Sequence, residues 1–353
     1  MKIVILGDIH FGARNCNDAI LYHQKKFFDF LFDYMKKNDI KDIYQLGDIF
    51  DNRRTISMKA LDFAYQNFFD AMQDEGIRFN SLLGNHCIYY KEELSINSPK
   101  ILLRKYNNVR IFDKPISVDI GGHSFSIVPW ICDDNRDECA KFLSTSTDEY
   151  CLGHFEVNGF EVVNGVEFTS GLSISEFSKF KRMISGHFHT PCDKENISYV
   201  GSATQLTWND AYRKKRFFVY DTETDKFTQV DNDDTYFVNV VYDDKNKTST
   251  NLDELDLEKC FIKLHIRNKT EAFLYNNYVA KLYKKNPAEV KFIETSVLVE
   301  DSDIEIDISN IKIEDIITQY VDEKTDFSDK IALKEFLIGL YNEAEMQSMK
   351  EAE

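Results

Sequence analysis

Apolar positions in the first third of the chain fall into two alternating rhythms. "KIVIL" at 2–6, "KDIYQL" at 41–46 and "IRFNSLL" at 77–83 are short apolar-rich runs, and each stops at a glycine: Gly7, Gly47 and Gly84. Runs of this length closed by a turn residue read as buried strands. Between them, residues 17–37 read as an amphipathic helix with Asn17 or Asp18 near its start. Residues 57–75 carry Leu61, Ala64, Tyr65, Phe68 and Met72 at helical spacing. The resulting β-α-β-α-β order predicts a mostly parallel sheet with helices on both faces. Further strands are expected in "VDIGGHSFSIVPW", a hairpin turning at Gly121-Gly122, and in "YCLGHF", "FKRMISGHFH" and "RKKRFFVYDT".

The composition shifts at "DKFTQVDNDDT", residues 225–235. Beyond it, "YFVNVVYDD", "CFIKLHIRN" and "VKFIETSVLV" read as strands and "EAFLYNNYVAKLYKK" as a helix, enough for a small α/β domain at 235–300. "EDSDIEIDIS" reads as an acidic linker, 301–310, before two amphipathic helices near 311–321 and 328–346 in a tail spanning 311–353. The second helix places Leu333, Phe336, Leu337, Leu340, Tyr341 and Ala344 on one side. The first domain then covers 1–230.

At 353 residues, 43% hydrophobic and 29% charged, the chain has the composition of an ordinary soluble globular protein with two domains or more. No apolar run reaches the length of a membrane span, and the start "MKIVILGDIH" turns polar too soon for a signal peptide. Seven scattered cysteines without a C-x-x-C fit reduced thiols in a cytoplasm, not a disulfide framework or a thiolate zinc site. Of the net charge of −17, residues 221–353 hold −15 and residues 1–220 only −2. An acidic chain is a poor free-standing binder of phosphate backbones, unless metal ions or a partner supply positive charge.

Five predicted strand ends share one pattern, a glycine followed by metal-ligand residue types. They are "GDIH" at 7–10, "GDIFD" at 47–51, "GNH" at 84–86, "GHFE" at 153–156 and "GHFH" at 186–189. Sites in parallel α/β sheets lie at the carboxyl ends of strands, so these segments can converge. They supply Asp8, His10, Asp48, Asn85, His154, His187 and His189, and with His86 they hold five of the eight histidines. Imidazole, carboxylate and amide without sulfur suit Mn, Fe, Zn or Mg, the oxygen share favouring Mn or Fe. Seven protein ligands plus solvent suit two ions, and paired ions about 3.5–4 Å apart stabilise both oxygens of a phosphoryl displacement. His23, His123 and His265 have no such company and read as structural. Arg53 and Arg54 could hold nucleic-acid phosphates or belong to a solvated loop, and "RKKR" at 213–216 could contact nucleic acid or end a solvated strand.

The ordered motifs D-x-H, G-D-x-x-D, G-N-H, G-H and G-H-x-H resemble the signature of calcineurin-like metallophosphoesterases. "IYQLGDIFD" and "SGHFHT" are similar to nuclease subunits of SbcCD-type repair complexes. "VPW", "CLGHFEVNGF" and "GLSISEF" resemble most the recombination endonuclease subunits of T-even-like phages. The resemblance implies a β-sandwich of two mixed sheets flanked by helices, with a small α/β domain that caps DNA and C-terminal helices. It implies that Asp8, His10, Asp48 and His189 hold one ion, that Asp48 bridges, and that Asn85, His154 and His187 complete the second. Two Mn2+ are expected, with Mg2+ or Fe2+ as alternatives. His86 is expected to protonate the leaving oxygen, and Asp51 to pair with it. Cys87, standing where relatives commonly carry an acid, is expected to be a small buried filler.

Expected partners are DNA, a second copy of the chain and an SMC-like ABC-type ATPase gripped by the C-terminal helices, with no membrane. The expected setting is the cytoplasm, that of the host if the chain is phage-encoded. Phe63 and Phe69 lie off the main stripe of the helix at 57–75, which fits either a deeply buried helix or a two-fold interface. The expected activity is Mn-dependent double-strand exonuclease and single-strand endonuclease action in recombination, end resection and repair. The rival readings are a binuclear phosphoesterase acting on small phosphoesters and an inactive scaffold.

Overall fold

In the computed structural model the described residues are 1–163, 166–211, 213–294, 321, 330–334 and 336–338. The strands that carry the architecture are β1 (Lys2–Leu6), β2 (Asp42–Gln45), β3 (Arg78–Leu82), β4 (Val109–Phe112), β5 (Ile116–Ile120), β6 (His123–Val128), β7 (Tyr150–His154), β8 (Arg182–Gly186), β9 (Cys192–Lys194), β10 (Ile197–Tyr199), β11 (Lys215–Asp221), β12 (Lys226–Asn232), β13 (Phe237–Asp243), β14 (Phe261–Asn268) and β15 (Glu289–Glu294). The first sheet runs β12-β11-β1-β2-β3-β4 and the second β9-β10-β8-β7-β6-β5. Both are mixed. β1 to β4 are parallel with β11 and β12 antiparallel beside them, and β10, β8, β7 and β6 are parallel between antiparallel edges.

The continuous apolar run of β1 has a physical reason, because both of its faces are covered. Ile3 and Ile5 pack into the layer shared with the second sheet, against Phe125, Leu152, Ile184 and Tyr220. Val4 and Leu6 pack on the other side against two helices. One of these is α1 (Asp18–Lys37), capped by the Asn17 side chain accepting from the Ala19 N–H. It buries Phe27, Phe28, Leu31 and Met35. The other, α2, runs from Met58–Ala64 through a π-helical turn at Tyr65–Phe69 into Asp70–Asp74. The outer face of the second sheet is covered by α3 (Arg136–Thr145) through Cys139 and Leu143. The result is the expected sandwich of two mixed sheets flanked by helices.

A third, parallel sheet, β13-β14-β15, is crossed by α4 (Ala272–Tyr283) between β14 and β15. It shares an apolar cluster with Ala13, Ala19, Ile20 and Leu206 of the first 230 residues. Residues 295–300 of the expected domain and the expected linker at 301–310 lie outside the described residues. The chain divides into units 1–303 and 304–353. In the second unit Val321 and residues 330–334 and 336–338 are helical, and the remainder of the two expected tail helices lies outside the described residues. Among the described residues, no helix is long and apolar enough to cross a membrane.

Two alternatives left open by the sequence are narrowed at this level. Phe69 is fully buried and Phe63 packs on the same core, so the two residues that made a two-fold interface attractive are accounted for inside the chain. The π turn is the cause: its wider winding lets adjacent Phe68 and Phe69 both face inward. The basic run at 213–216 is solvated only in its first half, where Lys214 is exposed. Lys215 and Arg216 are buried, with Lys215 paired to Asp210 and Arg216 to Asp193 at 2.7 Å.

Candidate metal centre

The carboxyl ends of β1, β2 and β3 in one sheet and of β7 and β8 in the other open onto a single crevice. The loops after β1 and β2 stay paired beyond their strands. The Ile9 and His10 N–H groups donate to Asp48 O at 3.1 Å, the Phe11 N–H to Ile49 O at 2.8 Å and the Asp51 N–H to Phe11 O at 3.0 Å. Holding the side chains inward puts His10, Asp48 and His187 at φ of 52°, 53° and 85°. Such left-handed conformations are uncommon for non-glycine residues and gather at functional sites. The glycines before them are needed for space. A Cβ on Gly186 would stand 2.5 Å from Asp8 Oδ1, and one on Gly84 would collide with Asp48 Oδ1.

All seven expected ligands lie in this crevice. His10 Nε2 stands 3.0 Å from His189 Nε2, 3.8 Å from Asp8 Oδ2 and 3.9 Å from Asp48 Oδ2. His189 Nε2 is 3.7 Å from Asp8 Oδ2. On the other side, His154 Nε2 is 3.3 Å from Asp48 Oδ2 and 2.9 Å from Asn85 Oδ1, and His187 Nδ1 is 3.2 Å from Asn85 Oδ1. Asp8, His10 and His189 form one candidate ligand group, and Asp8, Asp48 and His154 another.

Hydrogen bonds on the far side of each ring fix which atoms face inward. His154 Nδ1 meets the Leu46 carbonyl at 2.6 Å, and a carbonyl only accepts, so Nδ1 carries the proton and Nε2 presents its lone pair. His187 Nε2 meets Glu156 Oε1 at 3.2 Å, which turns the lone pair of Nδ1 inward. Lone pairs of His154, His187, Asn85 and Asp48 therefore converge on one point, an arrangement that needs a proton or a cation between them. Burial alone would lower the His10 and His154 pKa values. Nearby carboxylates outweigh it, Asp8, Asp48 and Asp51 for His10 and Asp48 and Asp8 for His154, and hold both at about 9. Burial would raise Asp48, but His154, His86 and His10 hold it well below the usual carboxylate range. The donor set thus fits divalent cations, which would take the place of those protons.

His86 and Asp51 are also brought to the crevice, in a different relation from the one expected. His86 Nδ1 is hydrogen-bonded to the main-chain carbonyl of Asp51. The Asp51 carboxylate instead lies 3.5 Å from His10 Nδ1. The His86 ring meets His10 edge-on, centroids 5.0 Å apart, and the His86 main-chain N–H donates to Asp48 Oδ1 at 2.8 Å. Cys87 is fully buried among Leu83, Ile88, Leu94 and Cys132, and burial pushes its thiol up to about 12, so it is no ready nucleophile. Arg53 is half-buried near the crevice, where burial lowers its pKa and the Asp48 field opposes that; Arg54 is exposed. His23, His123 and His265 lie elsewhere, bonded to Asp234, Glu149 and Asn239.

Two contributors were not singled out from the sequence. Glu156 was in view as the last letter of "GHFE", where a carboxylate two residues beyond a ligand histidine is a signal for a ring-orienting partner. Trp130, in "VPW", packs its ring 5.2 Å from His187 and 5.9 Å from His154, and nothing in its local sequence marks that contact.

The calcineurin-like phosphoesterase family profile matches residues 1–191. The chain is 31% identical to exonuclease subunit 1 of Enterobacteria phage T4 over 346 residues, 98% of this chain and 99% of that one. Solved structures are more distant. An archaeal phosphodiesterase is 14% identical with a TM-score of 0.34, covering 66% of this chain and all of its own. A glutamine-dependent NAD+ synthetase from Acinetobacter baumannii is 12% identical with a TM-score of 0.27, covering 97% of this chain and 72% of its own. At those scores neither bears on how this chain works.

Proposed function

The chain belongs to the calcineurin-like phosphoesterase family, and on that premise we propose that it is a DNA nuclease subunit hydrolysing phosphodiesters at a two-manganese centre. The observation that carries this reading is the convergence of inward-facing acceptor atoms from both sheets on the two sides of Asp48. The relative described as an exonuclease subunit, alike over nearly the whole of both chains, supports DNA as the substrate.

In this reading Asp8, His10, Asp48 and His189 hold one ion, and Asp48, Asn85, His154 and His187 hold the other. When bound, the ions supply Lewis-acid activation of a water and charge neutralisation at the phosphoryl oxygens. Glu156 and the Leu46 carbonyl keep the rings of His187 and His154 turned to the ions. His86, its Nδ1–H fixed on the Asp51 carbonyl, carries its exchangeable proton at Nε2 and delivers it to the leaving oxygen. Arg53 and Arg54 hold flanking phosphates. The sheet β13-β14-β15 with α4 caps the DNA, and the tail at 311–353 grips an SMC-like ABC-type ATPase in a homodimeric assembly in the cytoplasm. Mg2+ or Fe2+ are the alternative ions. Within that assembly the protein resects double-strand ends as an exonuclease and cuts single strands as an endonuclease, serving recombination and repair.

The test is nucleotide release from linear duplex and nicking of circular single strands with manganese. Asp48→Asn is expected to lower both rates by about a hundredfold or more, the loss of several kcal/mol of charge stabilisation. Wild-type protein that releases nothing, even with the ATPase added, overturns the proposal.

A further inference from the structure

Lys215 is the first residue of β11 and is fully buried, as is its partner Asp210. Both charges are satisfied. Lys215 Nζ pairs with Asp210 Oδ1 and donates to the main-chain carbonyl of His189 at 2.7 Å. Asp210 Oδ2 accepts from the Leu206 and Thr207 N–H groups at 2.8 and 3.0 Å. A buried ion pair seldom stabilises a fold more than apolar residues of the same size, because desolvation offsets the attraction. Its presence here therefore calls for a reason other than stability, and its neighbours supply one.

The His189 carbonyl also accepts from the Ser202 N–H at 3.1 Å, and the Asp8 carbonyl accepts from the Ala203 N–H at 2.7 Å. Continuing the β1–β11 register from Ile5↔Phe218 brings Lys215 level with Asp8. The main chains of two expected ligands, Asp8 and His189, are thus tied to the segment 202–215, and the Lys215–Asp210 pair fastens the end of that segment to its middle. Gln205, in the same segment, donates to Asp210 O at 2.6 Å and accepts from the Tyr236 and Phe237 N–H groups at 2.7 and 3.0 Å, where the third sheet begins.

We propose that Lys215 and Asp210 are positioning residues for one half of the metal centre, holding the His189 backbone so that its ring reaches the Asp8–His10 side. The proposal rests on the two-ion reading above. In the other half, His154 takes its orientation from the Leu46 carbonyl and His187 from Glu156, so the effect is confined to one ion.

Manganese titration of the full chain by calorimetry and electron paramagnetic resonance tests it. Asp210→Asn with Lys215→Met removes both charges and keeps an acceptor for the 206–207 amides. One of two manganese equivalents is expected to weaken about 10- to 100-fold, the usual effect of losing a partner that orients a ligand, while the other keeps wild-type affinity. Lys215→Arg, which keeps the charge and the pairing but moves the donor, is expected to show the same selective weakening in smaller measure. Equal weakening of both equivalents in either variant, or no weakening in either, overturns the positioning role. Wild-type protein that takes up no manganese overturns the two-ion reading itself, a failure seen before any variant is made.

Discussion

His86 bonds to a main-chain carbonyl, so its orientation does not depend on the side chain of residue 51. The Asp51 carboxylate acts instead on His10, whose field it shares with Asp8 and Asp48. Asp51→Asn is therefore expected to leave the alkaline limb of the pH–rate profile, where a general acid loses its proton, unchanged. Manganese affinity should fall by a few-fold, read by titration. His86→Gln should do the opposite, lowering the rate by about 10²–10⁴ with metal uptake intact. A shifted alkaline limb in Asp51→Asn would return the carboxylate to His86. The candidate ligands were legible in the sequence because each lies within three residues of a glycine at a strand end. Their partners were not, because a main-chain carbonyl such as that of Leu46 has no residue-type signature.

At the level of elements, α2 marks where periodicity stops being readable. The spacing of Leu61, Ala64, Tyr65, Phe68 and Met72 predicts one helix with one buried stripe, and the helix is there. The π turn at Tyr65–Phe69 adds a residue to one winding and carries Phe69 into the core, which a 3.6-residue repeat cannot anticipate. Phe69 touches Phe11, Phe79 and Tyr106. Phe69→Ala is expected to cost about 3–5 kcal/mol in urea unfolding; a cost under about 1 kcal/mol would mean that the residue is not the core group described. The basic run at 213–216 failed for a related reason. Charge argues for solvent, but β11 is paired on both sides, Lys215 meets the buried Asp210, and Arg216 reaches from the core to the exposed Asp193.

For the whole molecule, strand and helix periodicity alone predicted a single mostly parallel sheet with helices on both faces; the sandwich of two mixed sheets came from the family resemblance that the strand-end motifs carry. What binds the two sheets electrostatically is the crevice. His10 and His154 are held at about 9, above their unfolded value near 6.5. In metal-free protein this stabilisation is full below pH 6.5 and is lost as the pH rises through 9. A divalent cation held by these rings would displace the same protons, so manganese affinity is expected to rise over that interval while the stability of the metal-free protein falls. Thermal unfolding with chelator and manganese titration, each at pH 6.5 and 9, check the two opposite slopes; parallel slopes would contradict the assignment. The donors come from two layers, with Asp8, His10, Asp48 and Asn85 following strands of the first sheet and His154, His187 and His189 following strands of the second. Ions in that place would act as a removable rivet between the layers. Chelation would then take out a cross-link without cutting a covalent bond, loosening the rims of two sheets whose shared apolar layer stays packed.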